Sequence, residues 1–321
     1  MNPNVKRTSI GAAGPARGSI DRFRLTIERA RRLSQLMAES RPDALICFMP
    51  RMATAGVLAG RRSPVPVIIS ERTDPRHLSE PPTARRIRAW TYRHADALVV
   101  PSESLASWAV EHQPRRVRVI HNPVDPSVRQ WSQGRERTIV ALGRLGREKG
   151  IDLLIEAFAR VADDRPGWRL KIFGDGPVRT ELEEQARSTT VSHRIELAGE
   201  VAHARQALDG AGIFALPSRY EGFPNALLEA LASGLPAIAA RCSSGPAEIL
   251  RDGQNGILVP TEDVASLAAG LASLMDDEGL RHRLSTAAAA RAAEFGLDRI
   301  VADWDGLLED MMVPQRVRRT A

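Results

Sequence analysis

Short apolar runs alternate with amphipathic stretches along most of the chain. A helical pattern from Ile20 to about Ser40 carries Phe23, Ile27, Leu33, Leu36 and Met37 on one apolar side. Pro42-Asp43 then breaks to Ala44-Leu-Ile-Cys-Phe-Met49, which reads as a buried strand. After a helical stretch comes Val65-Pro-Val-Ile-Ile-Ser70, then a helix around Ala84–His94. Asp96-Ala-Leu-Val-Val-Pro101 and Arg118-Val-Ile-His-Asn-Pro123 continue the alternation. A second, cleaner series predicts strands at Thr138–Leu142, Trp168–Phe173, Arg194–Leu197, Gly212–Leu216, Pro236–Ala239 and Gly256–Val259. Helical patterns fall at 151–163, 177–189, 203–209, 224–233 and 246–250, then at 262–275, 278–294 and 297–311. Strands alternating with helices predict parallel sheets covered on both faces. The expected fold class is α/β, with two doubly wound Rossmann-like domains facing a cleft and ligand at the carboxyl ends of the strands.

A chain of 321 residues holds two such domains at roughly 150 residues each. Residues 1–19 are small, polar and aperiodic, which predicts disorder. The first domain is expected over 20–126, a linker over 127–137 and the second domain over 138–296. Residues 297–321 are expected to form a C-terminal helix packing back on the first domain, and a tail. Apolar residues make up 43%, ample for two cores. Cys47 and Cys242 are too few for a disulfide framework and are expected as buried thiols in a reducing compartment. No stretch has the length and apolarity of a signal peptide or a membrane span, so the expected localisation is cytoplasmic.

Charge changes the picture only modestly. The formal net charge is +6, and Lys6, Lys149 and Lys171 are the only lysines beside many arginines. Basic clusters such as Arg85-Arg-Ile-Arg88 and Arg115-Arg-Val-Arg118 lie in the first third. A basic face can bind nucleic acid or anionic lipid. Only 4% of residues are aromatic and no nucleic-acid motif is present, which argues against stacking recognition of bases. A membrane surface fits better, and a merely solvated face fits equally well.

Three segments carry candidate chemistry. Gly143-Arg-Leu-Gly-Arg-Glu-Lys149-Gly150 follows a strand and precedes a helix. Its glycines let the backbone approach a ligand, and Arg144 and Lys149 can neutralise a diphosphate, although a solvated loop has the same composition. Gly174-Asp-Gly-Pro177 is a tight turn after the next strand, a weak signal alone. The third is Leu216-Pro-Ser-Arg-Tyr-Glu221-Gly-Phe-Pro-Asn-Ala-Leu-Leu-Glu229, a strand end, a turn and a helix opened by Pro224. Free N–H groups at a helix start, beside two carboxylates, suit a ligand bearing phosphates and hydroxyls. An ordinary strand–turn–helix with two solvated glutamates is the bland alternative. Cys242-Ser-Ser-Gly-Pro-Ala-Glu248 and Asp252-Gly-Gln-Asn-Gly256 follow it.

In this order and spacing the segments resemble the retaining glycosyltransferases of the group 1, family 4 type, which have the GT-B fold; the resemblance runs from about Arg41 to the C-terminus. Asn122-Pro-Val-Asp125 is similar to a family signature before the linker. Ser70-Glu-Arg-Thr-Asp-Pro75 together with Cys242–Glu248 resembles members that build bacterial surface polysaccharides. The resemblance implies a metal-independent hexosyl transfer from a nucleotide-sugar, UDP-linked by family frequency, to a saccharide or lipid-linked saccharide acceptor. It implies no cofactor and no metal. Arg144 and Lys149 would hold the diphosphate and stabilise the leaving nucleotide. Gly143 and Gly174 would line the donor, and Val201 would meet the base. Glu221 would contact the transferred sugar, helped by the amides of Phe223 and Asn225. Amides at Ala226 and Leu227 would reach phosphate oxygens, and Glu229 would bind the ribose hydroxyls. The expected partners are these two substrates, with peripheral contact to an anionic membrane surface and no nucleic acid.

Two departures shape the expectations. Where many members carry a histidine after the strand matching Val65–Ser70, Glu71 stands as its candidate substitute. The family's first strand and its Gly-rich loop are not matched in residues 1–19, so the first domain is expected to be incomplete. A catalytically impaired nucleotide-sugar-binding subunit and another GT-B enzyme, such as an epimerase, are the alternatives. A dehydrogenase is disfavoured because no G-x-G-x-x-G follows a strand.

Overall fold

Parallel strands with helices in the connections account for both halves of the chain. The computed structural model describes residues 5–10, 18–61, 63–125 and 137–312. Parts of three expected segments lie outside those residues: the disordered start (1–4 and 11–17), nearly all of the linker (127–136) and the tail (313–321). Helix α1 (Ser19–Ser40) leads into β1 (Leu45–Phe48), α2 (Pro50–Gly60), β2 (Val67–Ser70), α3 (Pro82–His94), β3 (Ala97–Val100), α4 (Glu103–Val110) and β4 (Val117–Val119). These strands lie side by side in chain order.

The second half runs β5 (Thr138–Leu142), α5 (Ile151–Ala162), β6 (Arg169–Phe173), α6 (Arg179–Ser188), β7 (Ile195–Gly199), α7 (Ala204–Leu208), β8 (Ile213–Leu216), α8 (Asn225–Ala232), β9 (Ala237–Ala240), α9 (Pro246–Ile249) and β10 (Ile257–Val259). Helices α10 (Val264–Asp276), α11 (Glu278–Ala293) and α12 (Leu297–Met312) complete it. Its sheet has the order β10-β9-β8-β5-β6-β7, all parallel. The chain moves outward from β5 to β7, then returns to the other side of β5 as β8. That reversal opens a crevice at the carboxyl ends of β5 and β8, where open α/β sheets bind ligands.

Continuous apolar strands follow from burial on both faces. Ile213 and Ala215 of β8 enter the core that contains Ile155, Phe158 and Leu271, while Phe214 and Leu216 enter the one that contains Leu227, Leu231 and Ala288. Helix α5 presents Ile151, Leu154, Ile155 and Phe158 at helical spacing to the first of these cores. In the first sheet, Val67, Ile69, Leu98 and Val100 pack with Val57, Leu105 and Ala109. The opposite face, Ile68, Ala97 and Val99, is covered by Ile300 and Leu307 from the C-terminal helix α12. A helix encoded last thus closes the sheet encoded first.

Local differences from the sequence reading have physical causes. The expected strand Arg118–Pro123 shrinks to β4 because only Ile120 still bonds β3 (its N–H to Val100 O, 3.0 Å) before Pro123, which has no N–H, ends the ladder. Pro224 caps α8 rather than entering it. Its ψ is 84°, and its carbonyl accepts from the Leu227 and Leu228 amides. Met37 is buried as its periodicity implies, whereas Phe23 is 68% exposed, since α1 is 22 residues long and the helix beneath it, α2, only 11. Cys47 and Cys242 are unpaired and buried, and burial pushes both thiols up to about 11. Among the described residues no helix is long and apolar enough to cross a membrane.

Phe214 is fully buried on the strand that borders the crevice. Phe214→Ala is expected to remove about 3–5 kcal/mol of stability, read as a lower urea midpoint with an unchanged slope.

Candidate functional site

The loop after β5 and the turn after β6 are pressed together. Gly143 N–H donates to Phe173 O at 3.0 Å, and Gly174 N–H to Gly199 O at 2.7 Å. Gly174 has φ +131°, and a Cβ there would sit 1.9 Å from the Gly143 carbonyl oxygen, so no larger residue fits. Beside this contact opens a cavity of about 720 Å³ lined by Leu142, Gly143, Arg144, Gly174, Asp175, Gly176, Glu200 and Val201. That volume suits a nucleoside-sized ligand. Arg144 is exposed at its edge, and no hydrogen-bond or ion-pair partner engages its side chain among the described residues.

Lys149 is reached through a single 3₁₀ turn, Arg147–Lys149, ended by Gly150 in the left-handed region. Its stem runs past Gly143, and its ammonium meets Glu221, with Nζ 2.7 Å from Oε1 and 3.0 Å from Oε2. Ser218 Oγ donates to the same carboxylate at 2.7 Å, and Ser244 Oγ donates to the Glu221 carbonyl. Glu221 is 7% exposed. A pair so buried adds little net stability, because desolvation offsets most of its attraction. The resemblance gave these two side chains separate tasks, on the diphosphate and on the sugar; in the structure they pair with each other.

Glu229, one turn along α8, is half-buried with no hydrogen-bond or ion-pair partner for its carboxylate among the described residues. Burial raises its pKa from the usual 4.5. At the entrance of α8 the amides divide. Asn225 N–H is engaged by Phe223 O at 3.0 Å and Leu227 N–H by Pro224 O at 3.1 Å, while Phe223 and Ala226 have unpartnered amides among the described residues. The expectation of free amides at Asn225 and Leu227 is corrected accordingly. Val201 lines the cavity.

The first domain bears directly on this rim. A Cβ on Gly222 would lie 2.7 Å from Arg72 O, so the two halves meet there at backbone distance. Asn122 Nδ2 donates to Asn225 Oδ1 at 2.7 Å. The Glu248 carboxylate accepts from the Glu103 and Ser104 amides at 3.0 and 3.2 Å, filling orphan donors at the start of α4. His77 stacks on Tyr220 with centroids 4.2 Å apart, and its Nε2 lies 3.1 Å from Ser243 Oγ. The Ser70–Pro75 and Cys242–Glu248 segments are therefore two sides of one contact. Glu71 is 4% exposed and accepts from Arg72 N (2.9 Å), Thr73 N (3.0 Å), Thr73 Oγ1 (2.6 Å) and Tyr92 Oη (2.8 Å). Those bonds make it the anchor of its loop. Burial, and then the Glu71 charge, push the Tyr92 phenol upward. Ser218, Tyr220, Ser244 and Glu248 lie in segments the sequence singled out, but their partners, and those of His77, could not be read there, because a serine or glutamate earns its role only from what faces it. Among the described residues no group of three or more His, Cys, Asp or Glu side chains converges as a metal site would.

Comparison with known proteins agrees with this geometry. The family model for glycosyl transferases group 1 matches residues 127–291, and that for glycosyltransferase family 4 matches residues 6–128. An exopolysaccharide phosphotransferase of Streptomyces coelicolor is 38% identical over 221 residues, which is 68% of this chain but 24% of that protein. An undecaprenol-diphosphate-linked saccharide α-1,4-N-acetyl-D-galactosaminyltransferase of Campylobacter jejuni is 27% identical over 283 residues, 87% of this chain and 78% of that one. A crystal structure of Anabaena HepE in complex with UDP superposes with a TM-score of 0.78 at 19% identity, covering 92% of this chain and 85% of that one. The arrangement of the two sheets is the GT-B fold.

Because burial raises the Glu229 pKa, the folded chain holds this proton to higher pH than the unfolded chain does. The wild type therefore loses stability as pH rises from the unfolded value through the raised one. Glu229→Gln is expected to be at least as stable as wild type at pH 8, with the difference closing toward pH 4, in urea titrations run across that range. A glutamine variant less stable at pH 8 would contradict this assignment of strain.

Proposed function

The chain belongs to the group 1 glycosyltransferases, and we propose that it transfers a hexosyl group from a nucleoside diphosphate sugar to a hydroxyl of a saccharide or lipid-linked saccharide, with retention and without a metal. One observation carries the reading. A nucleoside-sized cavity at the ends of β5, β6 and β7 is lined by Arg144, whose side chain has no partner among the described residues, and Gly143 of that lining touches the stem of Lys149, which pairs with Glu221.

Each group has a task in that reaction. The base enters the cavity beside Val201, and Glu229 accepts from the ribose hydroxyls, a use that accounts for keeping a strained carboxylate there. Arg144 and Lys149 face the diphosphate, where negative charge grows as the glycosidic bond breaks; fixed cations aimed at that charge lower the barrier without reorganising. As the donor enters, Lys149 turns part of its charge from Glu221 to phosphate. Glu221 is then free to contact a sugar hydroxyl, held by Ser218 and by the Ser244 bond to its carbonyl. The unpartnered amides of Phe223 and Ala226 point to further oxygen contacts at the start of α8. UDP is the favoured nucleotide, in line with the UDP bound by HepE.

An acceptor held at an anionic membrane surface fits the charge distribution. Residues 1–125 hold 21 basic and 11 acidic side chains, whereas the remainder has 24 basic and 28 acidic. Arg51, Arg85 and Arg86 are exposed and without an ion-pair partner among the described residues. The Campylobacter relative's name gives an undecaprenol-linked acceptor.

Transfer is assayed with UDP-hexoses and extracted lipid-linked saccharides, alongside titration calorimetry with UDP. Lys149→Ala and Glu229→Ala are each expected to lower transfer at least 100-fold, roughly the loss of one strong charge-assisted contact in a reacting site. Unchanged activity in both variants would refute the assignment; nucleotide binding without transfer would instead identify a binding subunit.

A further inference from the structure

The cation assigned to the diphosphate sits on a loop with little structure of its own. Gly146 and Gly150 flank the turn that carries Lys149, and only one 3₁₀ turn lies between them. What fixes that turn comes from the neighbouring strand end. Arg219 stands two residues before Glu221, and it binds the Lys149 loop through both backbone and side chain. Its N–H donates to Glu148 O at 2.8 Å, and its Nη1 donates to Arg147 O at 2.8 Å. The same guanidinium forks onto Asp152 in the first turn of α5, with Nη1 2.8 Å from Oδ1 and Nη2 2.7 Å from Oδ2. Its third edge, Nε, reaches Glu262 at 2.9 Å. One residue thus holds the carbonyls of both residues before Lys149, Glu148 O by its backbone and Arg147 O by its side chain, and its side chain also holds the helix turn just after.

We propose that Arg219 is the positioning residue for Lys149: it locks the loop after β5 to the loop after β8, so that the ammonium and Glu221 share one diphosphate-sugar site. The proposal rests on the reading of Lys149 as a diphosphate contact. A planar fork is needed, since a single ammonium cannot span Arg147 O and both Asp152 oxygens. The bonds hold their charges. Asp152, although burial opposes its ionisation, stays below the usual carboxylate range through its bonds with Arg219. Arg219 touches neither the cavity lining nor the Lys149 ammonium, so it acts on Lys149 only through the loop and helix turn that carry it.

This separates it from a residue that merely supports the fold. The cavity that would take the nucleoside is lined by residues that Arg219 does not contact. Loss of Arg219 should therefore weaken the diphosphate contact and leave the nucleoside contact intact. The test is calorimetry with whichever of UDP, GDP and ADP the wild type binds best, each compared with its own nucleoside. Arg219→Ala is expected to weaken the diphosphate about tenfold, the size of one lost charge-assisted bond, with nucleoside affinity unchanged. Arg219→Lys should fall between Arg219→Ala and wild type. In a Lys149→Ala background, Arg219→Ala should have no further effect, because both changes remove one interaction. Asp152→Asn, which keeps the backbone bonds of Arg219, supplies a milder variant should Arg219→Ala fail to fold, and it should shift diphosphate affinity in the same direction. Equal losses for nucleoside and diphosphate, or additive effects of Arg219→Ala and Lys149→Ala, would overturn the proposal. A wild type that binds nucleosides but gains nothing from the diphosphate would remove the reading of Lys149 itself, and the proposal with it.

Discussion

The ion pair between Lys149 and Glu221 is the constraint on which the rest of the second domain is arranged. An ammonium and a carboxylate 2.7 Å apart, the carboxylate nearly buried, can be held in place only by a rigid frame on each side. The frame is the reversal of strand order. It sets the ends of β5 and β8 next to each other, so two loops that are some 70 positions apart in sequence meet with their charges aligned. Close backbone contact completes it: Gly150 admits the Pro217 carbonyl, where a Cβ would lie only 2.2 Å away. Such a pair contributes little to stability, which fits the proposed use of its charges on a ligand.

The same frame couples the site to the first domain. Ser244 bonds the Glu221 carbonyl, its neighbour Ser243 lies against His77, and Glu248 four residues on caps α4. One short segment therefore touches the backbone of Glu221 on one side and the partner domain on the other. A change in how the domains meet would be felt at Glu221 through two residues, without any long relay.

Much of this architecture was legible in the sequence, for physical reasons. Strands buried on both faces must be apolar throughout, so β2, β3, β8 and β9 announce themselves, and Gly174 and Gly150 mark close approaches that no other residue permits. What stayed hidden was pairing. Nothing in Lys149 or Glu221 says that each is the other's partner, and Arg219 among so many arginines is indistinguishable until Asp152 and the Arg147 carbonyl appear around it. Glu71 shows the same limit: its position after β2 marked it as the candidate substitute for the family histidine, and only the structure shows Tyr92 and the Thr73 hydroxyl bonded to its carboxylate. Position along a chain ranks candidates for a site; only the groups opposite decide which of them are free to act.

The contacts between the domains divide into two chemistries, and that division bears on how a substrate gets in. Helix α12 is tied to the first sheet by apolar burial, through Ile300 and Leu307, and the chain crosses beside it with Val124 N–H bonded to Phe295 O at 2.9 Å. The rim contacts are polar: Asn122 with Asn225, Ser104 with the Ser243 carbonyl, Glu248 with two amides. Apolar burial is lost only when a surface is exposed to water, whereas each rim bond can be exchanged for one to solvent at small net cost. The polar rim is therefore the side on which the two domains are least costly to separate, and α12 with the Val124 crossing is the side most firmly held. That rim includes Asn225 at the start of α8, next to the site proposed for the donor.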